Sequence, residues 1–118
     1  MSSARPNPPP DLLSAGKKLW KSIVADLPEA VELDARELAL LAHASRQADD
    51  IAALERALKR DGVTISGSAG QPRLNAALTE LRQGRIALAR LLGGLDIPEE
   101  EKTHTAASQR ARRWKSPT

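Results

Sequence analysis

The sequence predicts an all-α protein: a short N-terminal helix followed by two long helices that fold back as an antiparallel hairpin. Apolar residues recur at spacings of three and four along three segments of the 118-residue chain. Stretches that contain Pro or Gly separate these segments. Two long amphipathic helices with a short connection most simply pack antiparallel. The expected division is a disordered Pro-rich arm at 1–10, a helical domain at 11–98 with helices at about 11–27, 34–60 and 72–93, and a flexible tail at 99–118 with a basic end.

The first predicted helix follows four prolines, which fix the backbone angle and remove amide donors from the arm. Asp11 offers a carboxylate for the N-cap, and Pro28 ends the helix. The apolar residues of one face are Leu12, Ala15, Leu19, Ile23 and Leu27.

Three lysines, Lys17, Lys18 and Lys21, share the more polar side of this helix, with Trp20 nearby. Such a face can lie along a nucleic-acid backbone, and we take the three lysines as candidate DNA contacts. The alternative is a solvated helical face, which is the more common role of exposed lysines. Trp20 is expected to anchor an interface or the core rather than to stack on a base.

The second helix is predicted to begin at Asp34, where Glu37 three residues later completes a capping box. Lys59 and Arg60 favour the negative end of the helix dipole, and Gly62 suits the residue that follows a helix. Its apolar stripe consists of Leu41, Ala44, Ala48, Ile51, Leu54 and Leu58.

Residues 63–72 combine a β-branched run with two glycines and a proline, which predicts an irregular or hairpin-like connection. The third helix is predicted to begin near Pro72 and to close at Gly93 and Gly94. Its nearly heptad stripe consists of Leu74, Leu78, Leu81, Leu88, Leu92 and Leu95.

Arg85 interrupts the stripe of the third helix. It could form a buried or inter-subunit ion pair, for which Asp49, Asp50 and Glu55 on the second helix are candidate partners. The alternative, which we favour, is that its stem extends to solvent.

No catalytic constellation is present in the sequence. Cysteine is absent, and His43 and His104 are far apart without metal-ligand spacing. The glycines at 67 and 70 are not followed by the Lys-Ser or Lys-Thr pair of a phosphate-binding loop. No stretch reaches the roughly 18 apolar residues of a membrane helix. We therefore expect a non-enzymatic protein without metal, cofactor or membrane association.

Self-association is predicted because the core is small and the apolar stripes are long. The chain has no Phe or Tyr, and a lone domain of this size buries only about 60–65% of its unfolded surface. One hairpin cannot cover both stripes, so neighbouring copies are expected to cover the remainder. The predicted oligomer interface contains Trp20, Leu41, Ala48, Ile51, Leu74, Leu78, Leu81 and Leu88.

The net charge of +3 conceals a basic C-terminal end. Arg110, Arg112, Arg113 and Lys115 lie in the last twelve residues without an acidic residue, a composition suited to phosphates or to an acidic protein surface. An equally weighted alternative is a solvated tail that serves solubility. We take the four residues as further candidate DNA contacts.

The order of these features resembles the small subunits of the terminases of long-tailed bacteriophages. The elements that carry the resemblance are "GKKLWKSIVADLP", "LDARELALLAHASRQADDIAALERALKRDG", "GSAGQPRLNAALTELRQGRIALARLLGGLDIP" and the tail "TAASQRARRWKSP". The "QPRLNAALTELRQ" segment and the Leu-Gly-Gly-Leu-x-Ile-Pro end look most like the family. A departure is that Glu99, Glu100, Glu101 and Lys102 replace the usual basic residues after the last Pro of that segment.

The resemblance implies a ring-like homo-oligomer that recognises double-stranded viral DNA and presents it to the large terminase subunit. That subunit carries the ATPase and nuclease, and packaging takes place in the cytoplasm of the infected bacterial host. A closed head-to-tail interface would produce such a ring. Two alternatives come from other classes: a helical-hairpin scaffold or adaptor that binds only protein, and, less favoured, a helix-turn-helix regulator.

Overall fold

The computed structural model describes residues 5–95 of the chain, and these residues form a mostly helical structure with one small hairpin. The elements in chain order are α1 (Ser14–Asp26), α2 (Ala35–Asp61), β1 (Thr64–Ser66), β2 (Pro72–Leu74) and α3 (Ala76–Gly93). The prediction of a short helix followed by two longer ones is confirmed, and two short antiparallel strands are added to it.

α1 begins three residues later than predicted, so the N-cap role assigned to Asp11 is wrong. Leu13 is the N-cap residue and has no side-chain cap bond. Asp11 instead pairs with Arg46 of α2, with 2.9 Å between Oδ2 and Nε. The Leu12 amide donates to the Pro9 carbonyl at 3.3 Å, so the chain makes a turn before the helix starts.

The described part of the N-terminal arm, residues 5–10, is an extended segment held against α1 rather than a disordered one. The Arg5 guanidinium donates to the carbonyls of Leu27 and Val31, each at 3.2 Å. The Trp20 indole N–H donates to the Pro6 carbonyl at 3.1 Å. A Pro-rich segment is already extended before it packs, so ordering it costs little backbone entropy.

α2 matches its prediction closely because its end signals are local. The Glu37 amide donates to the Asp34 carboxylate at 2.8 Å, and the Asp34 amide donates to the Glu37 carboxylate at 2.9 Å. This reciprocal pair is the predicted capping box. At the other end Gly62 has a φ of 86°, which a residue with a side chain rarely adopts.

α3 begins four residues later than the predicted start at Pro72, because Pro72 and Leu74 belong to β2. Thr64 pairs with Leu74 and Ser66 with Pro72 in the antiparallel hairpin. Asn75 then caps α3: its side-chain oxygen accepts from the second helical amide at 3.0 Å. Its side-chain amide donates to the Gly62 carbonyl at 2.9 Å, which fixes the start of α3 to the end of α2.

α2 is the central helix of the structure. α1 packs against its N-terminal half, and α3 lies antiparallel along it, from Asn75 beside Gly62 at one end to Gly94 beside Leu40 at the other. The main core forms where α1 meets α2 and consists of Leu12, Trp20, Val24 and Leu41, with Leu95 packed against it. The core therefore lies at one end of the α2–α3 hairpin.

Candidate nucleic-acid interface and hairpin surface

The start of α1 is held by a carboxylate from α2. Asp49 accepts from the Leu13 amide at 2.8 Å and from the Gly16 amide at 2.7 Å. These are amides of the first turn, which have no partner within the helix. A negative charge here also suits the positive end of the helix dipole. Asp49 thus supplies from another helix the cap that α1 lacks locally.

Gly16 permits the close approach of α1 to α2 that this cap requires. A Cβ at Gly16 would lie 2.6 Å from the Ser45 carbonyl oxygen and 2.5 Å from a carboxylate oxygen of Asp49. Ser45 itself is completely buried beneath α1. From the sequence, Asp49 was a candidate ion-pair partner of Arg85. Neither its capping of α1 nor the close approach of α1 to α2 at Gly16 was predicted. The sequence gives no local signal for this contact, because Asp11 itself offers a capping carboxylate before α1.

The solvent-exposed side of α1 presents the three candidate lysines. Gly16, Trp20 and Val24 are buried on the α2 side, whereas Lys17, Lys18 and Lys21 are all exposed. Within residues 5–95 no carboxylate forms a salt bridge with any of the three. Their positive charge is therefore not neutralised by the part of the protomer that the structure describes. The other four candidate DNA contacts, Arg110, Arg112, Arg113 and Lys115, lie outside the described residues.

Three of the eight residues predicted to form an oligomer interface are packed inside the protomer. The exposed fractions of Trp20, Leu41 and Leu81 are 4%, 0% and 3%. Trp20 and Leu41 belong to the core between α1 and α2. The interface prediction is corrected for these three, because an apolar periodicity does not show whether a helix of the same copy or of another copy covers the stripe.

The other five predicted interface residues keep part of their surface exposed. Ala48, Ile51, Leu78 and Leu88 are half-buried. Leu74, predicted on α3, lies instead in β2 and is 51% exposed. Further exposed apolar side chains are Leu13, Val63 and Ile86.

The α2–α3 hairpin has little core of its own beyond the α1 contact. On α3 only Leu81 and Gly84 are buried. A Cβ at Gly84 would lie 3.3 Å from Cγ1 of Ile51, so the two helices are close at this point. The apolar side chains along the rest of the two stripes are partly covered, and none of them is fully buried. A two-helix layer of this kind leaves apolar surface in water, and burying it would be favourable at about 25 cal/mol per Å².

Arg85 forms an ion pair with Glu55, one of its three predicted partners. The distance between Nη2 and Oε2 is 3.3 Å, and both side chains are more than half exposed. An exposed pair of this geometry contributes little to stability. Arg85 therefore reaches solvent, as favoured, and its pair with Glu55 is exposed and lies within one copy rather than being the buried or inter-subunit pair of the alternative.

The Asp11–Arg46 pair ties the segment before α1 to α2. The hydrogen bond from the Arg46 guanidinium lowers the pKa of the Asp11 carboxyl below its ordinary value, and Asp11 raises the pKa of Arg46. The same effect lowers the pKa of Asp61, which accepts from Arg60 at the end of α2. All four side chains are exposed.

The described residues offer neither a metal cluster nor a membrane-spanning helix. No group of three or more His, Asp or Glu side chains within residues 5–95 is placed to hold a metal ion. No helix in that part of the chain has the length and apolar character to cross a bilayer. His43 is exposed on α2, and His104 lies outside the described residues.

Comparison with known proteins adds no relative: no protein-family model, curated protein or solved structure matches the chain. The resemblance to terminase small subunits therefore stays a prediction from the sequence. The features of the described residues that bear on function are the exposed lysine face of α1 and the incompletely covered hairpin.

Proposed function

We propose that this chain is a DNA-recognition protein of the terminase small-subunit type. In this proposal it is not an enzyme. Copies of the chain assemble into a ring-like homo-oligomer, bind double-stranded viral DNA and deliver it to the large ATPase and nuclease subunit in the cytoplasm of the infected bacterial host. The observation that carries the proposal is the exposed face of Lys17, Lys18 and Lys21, which no carboxylate of the described residues neutralises.

The geometry of this face suits contact with a phosphate backbone. Residues 17, 18 and 21 lie within about one turn of an α-helix, so their ammonium groups can reach neighbouring phosphates. The cap from Asp49 and the close packing at Gly16 hold α1 to α2, so the lysines project from a fixed element. Three contacts per copy would be weak alone, but repetition around an oligomer multiplies them through avidity.

The open surface of the α2–α3 hairpin supports assembly. Its stripes extend beyond the part that α1 covers. Beside them, Ile86 on α3 and Leu74 on strand β2 remain about half exposed. A second copy placed against these residues would remove them from water. A heterologous contact that closes on itself would give the ring.

The test of DNA binding is its salt dependence in a matched pair of triple variants. Lys17→Gln, Lys18→Gln and Lys21→Gln remove the proposed contacts. Three other exposed cations without a salt bridge in the described residues serve as the control, and their substitutions are Arg56→Gln, Lys59→Gln and Arg82→Gln.

We expect the α1 variant to weaken duplex binding and to reduce the slope of log affinity against log salt by up to about 2.7 per bound copy, since each lost phosphate contact removes about 0.9. The control variant, with the same net charge, should retain most of the slope. Equal slopes in the two variants would overturn the assignment to α1. An assembled particle that does not bind DNA at low salt would instead favour the protein-only scaffold or adaptor.

A further inference from the structure

A shallow groove runs between α2 and α3 on their solvent side. Its volume is about 540 Å³, and its floor and walls include Ala53, Leu54, Gly84 and Ala87. Small side chains on both helices leave room for a bulky group between them. The groove is separate from the lysine face of α1.

The polar rim of the groove is acidic. Asp50 on α2 and Glu80 on α3 are its charged lining residues, and both are exposed. Neither carboxylate has a hydrogen bond or salt bridge within residues 5–95, where the ion pairs involve Asp11, Glu55 and Asp61. The combination of apolar floor and unpaired acids fits an occupant that carries both an aromatic ring and positive charge.

The chain itself contains such a segment. Residues 110–115 read Arg-Ala-Arg-Arg-Trp-Lys, which is four positive charges and one indole without an acid. We infer that this segment docks in the α2–α3 groove of its own protomer, with Trp114 against the small residues and the arginines beside Asp50 and Glu80.

The connection has a suitable length for this contact. Gly84 lies nine residues before the end of α3 at Gly93, which corresponds to roughly 14 Å along the helix, and Leu95, the last described residue, follows two residues later. Roughly 17 residues lead from there to Arg112, and a coil of that length spans about 23 Å. The effective concentration of a tethered segment is highest when its span matches the distance to be bridged, so a weak contact suffices.

Docking would place the basic segment on a surface distinct from the lysine face of α1. This docking does not depend on the proposed DNA binding. If the chain does bind DNA, phosphates and the groove would compete for the same arginines. Neutralising the groove would then strengthen DNA binding.

Crosslinking of paired cysteines in the full chain tests the docking, since the natural sequence contains no cysteine. The reporter pair is Ala53→Cys with Ser116→Cys. The control pair is Ala39→Cys with Ser116→Cys, because exposed Ala39 lies on α2 next to Leu40, which contacts the end of α3 at Gly94. A segment that does not dock would react at least as fast at position 39, since that position is nearer to its point of attachment.

We expect a short bis-maleimide to join positions 53 and 116 at least fivefold faster than 39 and 116 at low salt, and within one chain. Asp50→Asn with Glu80→Gln should slow the reaction at position 53 at least threefold. Asp26→Asn with Glu29→Gln, which remove the same charge elsewhere, should leave it unchanged.

If position 116 crosslinks to position 39 as fast as or faster than to position 53, docking in the groove is overturned. The same follows if Asp50→Asn with Glu80→Gln leaves the crosslinking rate at position 53 unchanged. Crosslinked products with the mass of two chains would overturn the assignment to the same protomer. Circular dichroism of each variant confirms that the helices are retained. The substituted side chains within residues 5–95 are exposed, which makes loss of folding unexpected.

Discussion

Gly16→Ala tests the packing that fixes α1 to α2. Alanine is better than glycine in a helix by about 1 kcal/mol, so intrinsic propensity predicts a stabilised protein. The structure predicts the opposite sign. The added Cβ would lie 2.6 Å from the backbone oxygen of Ser45, and a backbone atom cannot swing aside as a side chain can.

The expected loss of stability follows from the shift of α1 that the added Cβ requires. Restoring an ordinary contact of about 3.4 Å shifts α1 by nearly 1 Å, and overpacking of this kind costs about 1–3 kcal/mol. The same shift weakens the two hydrogen bonds to Asp49, and a bond to a charged group contributes about 1.5–3 kcal/mol. After the gain in helix propensity, we expect a net loss of about 2–4 kcal/mol.

Two other helical glycines provide internal controls. A Cβ at Gly93 meets nothing within 4 Å, so Gly93→Ala should be neutral or stabilising by up to about 1 kcal/mol. A Cβ at Gly84 would lie 2.9 Å from the flexible amide of Gln47 and 3.3 Å from Ile51. Gly84→Ala should therefore fall between the other two, because the Gln47 side chain can move away.

The assay is urea unfolding followed by circular dichroism, with all variants at one protein concentration because assembly would change apparent stability. The predicted order of stability is Gly93→Ala, then Gly84→Ala, then Gly16→Ala. A Gly16→Ala protein as stable as Gly93→Ala would show that α1 does not approach α2 as closely as described. The proposal that this packing holds Lys17, Lys18 and Lys21 in a fixed position would then be wrong.

Three further predictions concern single contacts. Asn75→Ala removes the cap of α3 and the bond to the end of α2, and urea unfolding should show a loss of about 1–3 kcal/mol, whereas an unchanged midpoint would exclude that double role. Trp20→Phe keeps most of the apolar bulk but loses the hydrogen bond to Pro6, so the N-terminal arm should become more accessible to proteases, and unchanged cleavage would contradict its attachment. For Asp11→Asn, wild type should be slightly more stable above pH 3.8, and this difference should vanish as pH falls through the lowered pKa of Asp11. That pKa is depressed by the hydrogen bond from Arg46, and a difference that grew on acidification would refute the sign.

Local signals explain why α2 was predicted closely. Asp34 and Glu37 cap one another three residues apart, and Gly62 accommodates a positive φ immediately after the helix. Neither signal requires another part of the chain. The end of α3 at Gly93 was predicted for a similar reason, since paired glycines interrupt a helix in any context.

The starts of α1 and α3 were misplaced because they depend on tertiary contacts. The first-turn amides of α1 are satisfied by Asp49, more than thirty residues away in sequence. Pro72 suits the first position of a helix, but pairing of its strand with Ser66 takes priority.

In the candidate site, too, features set by one segment could be predicted from the sequence, and features that depend on contacts between helices could not. Exposure of the three lysines on α1 followed from the position of the apolar face, which the sequence displays. The burial of Leu41 and Leu81 within one copy did not, and for Trp20 the choice between interface and core stayed open, because the stripe does not reveal which helix covers it. The acidic groove between α2 and α3 also requires the relative placement of two helices, and no single segment indicates it.

Native mass spectrometry of the purified chain, compared across concentrations, tests most directly whether other copies complete the α2–α3 hairpin. We predict a discrete closed particle whose mass is a multiple of 12.7 kDa, together with loss of that particle when charge is introduced at half-buried positions such as Leu78 and Leu88. A stable 12.7 kDa monomer at high concentration would contradict it.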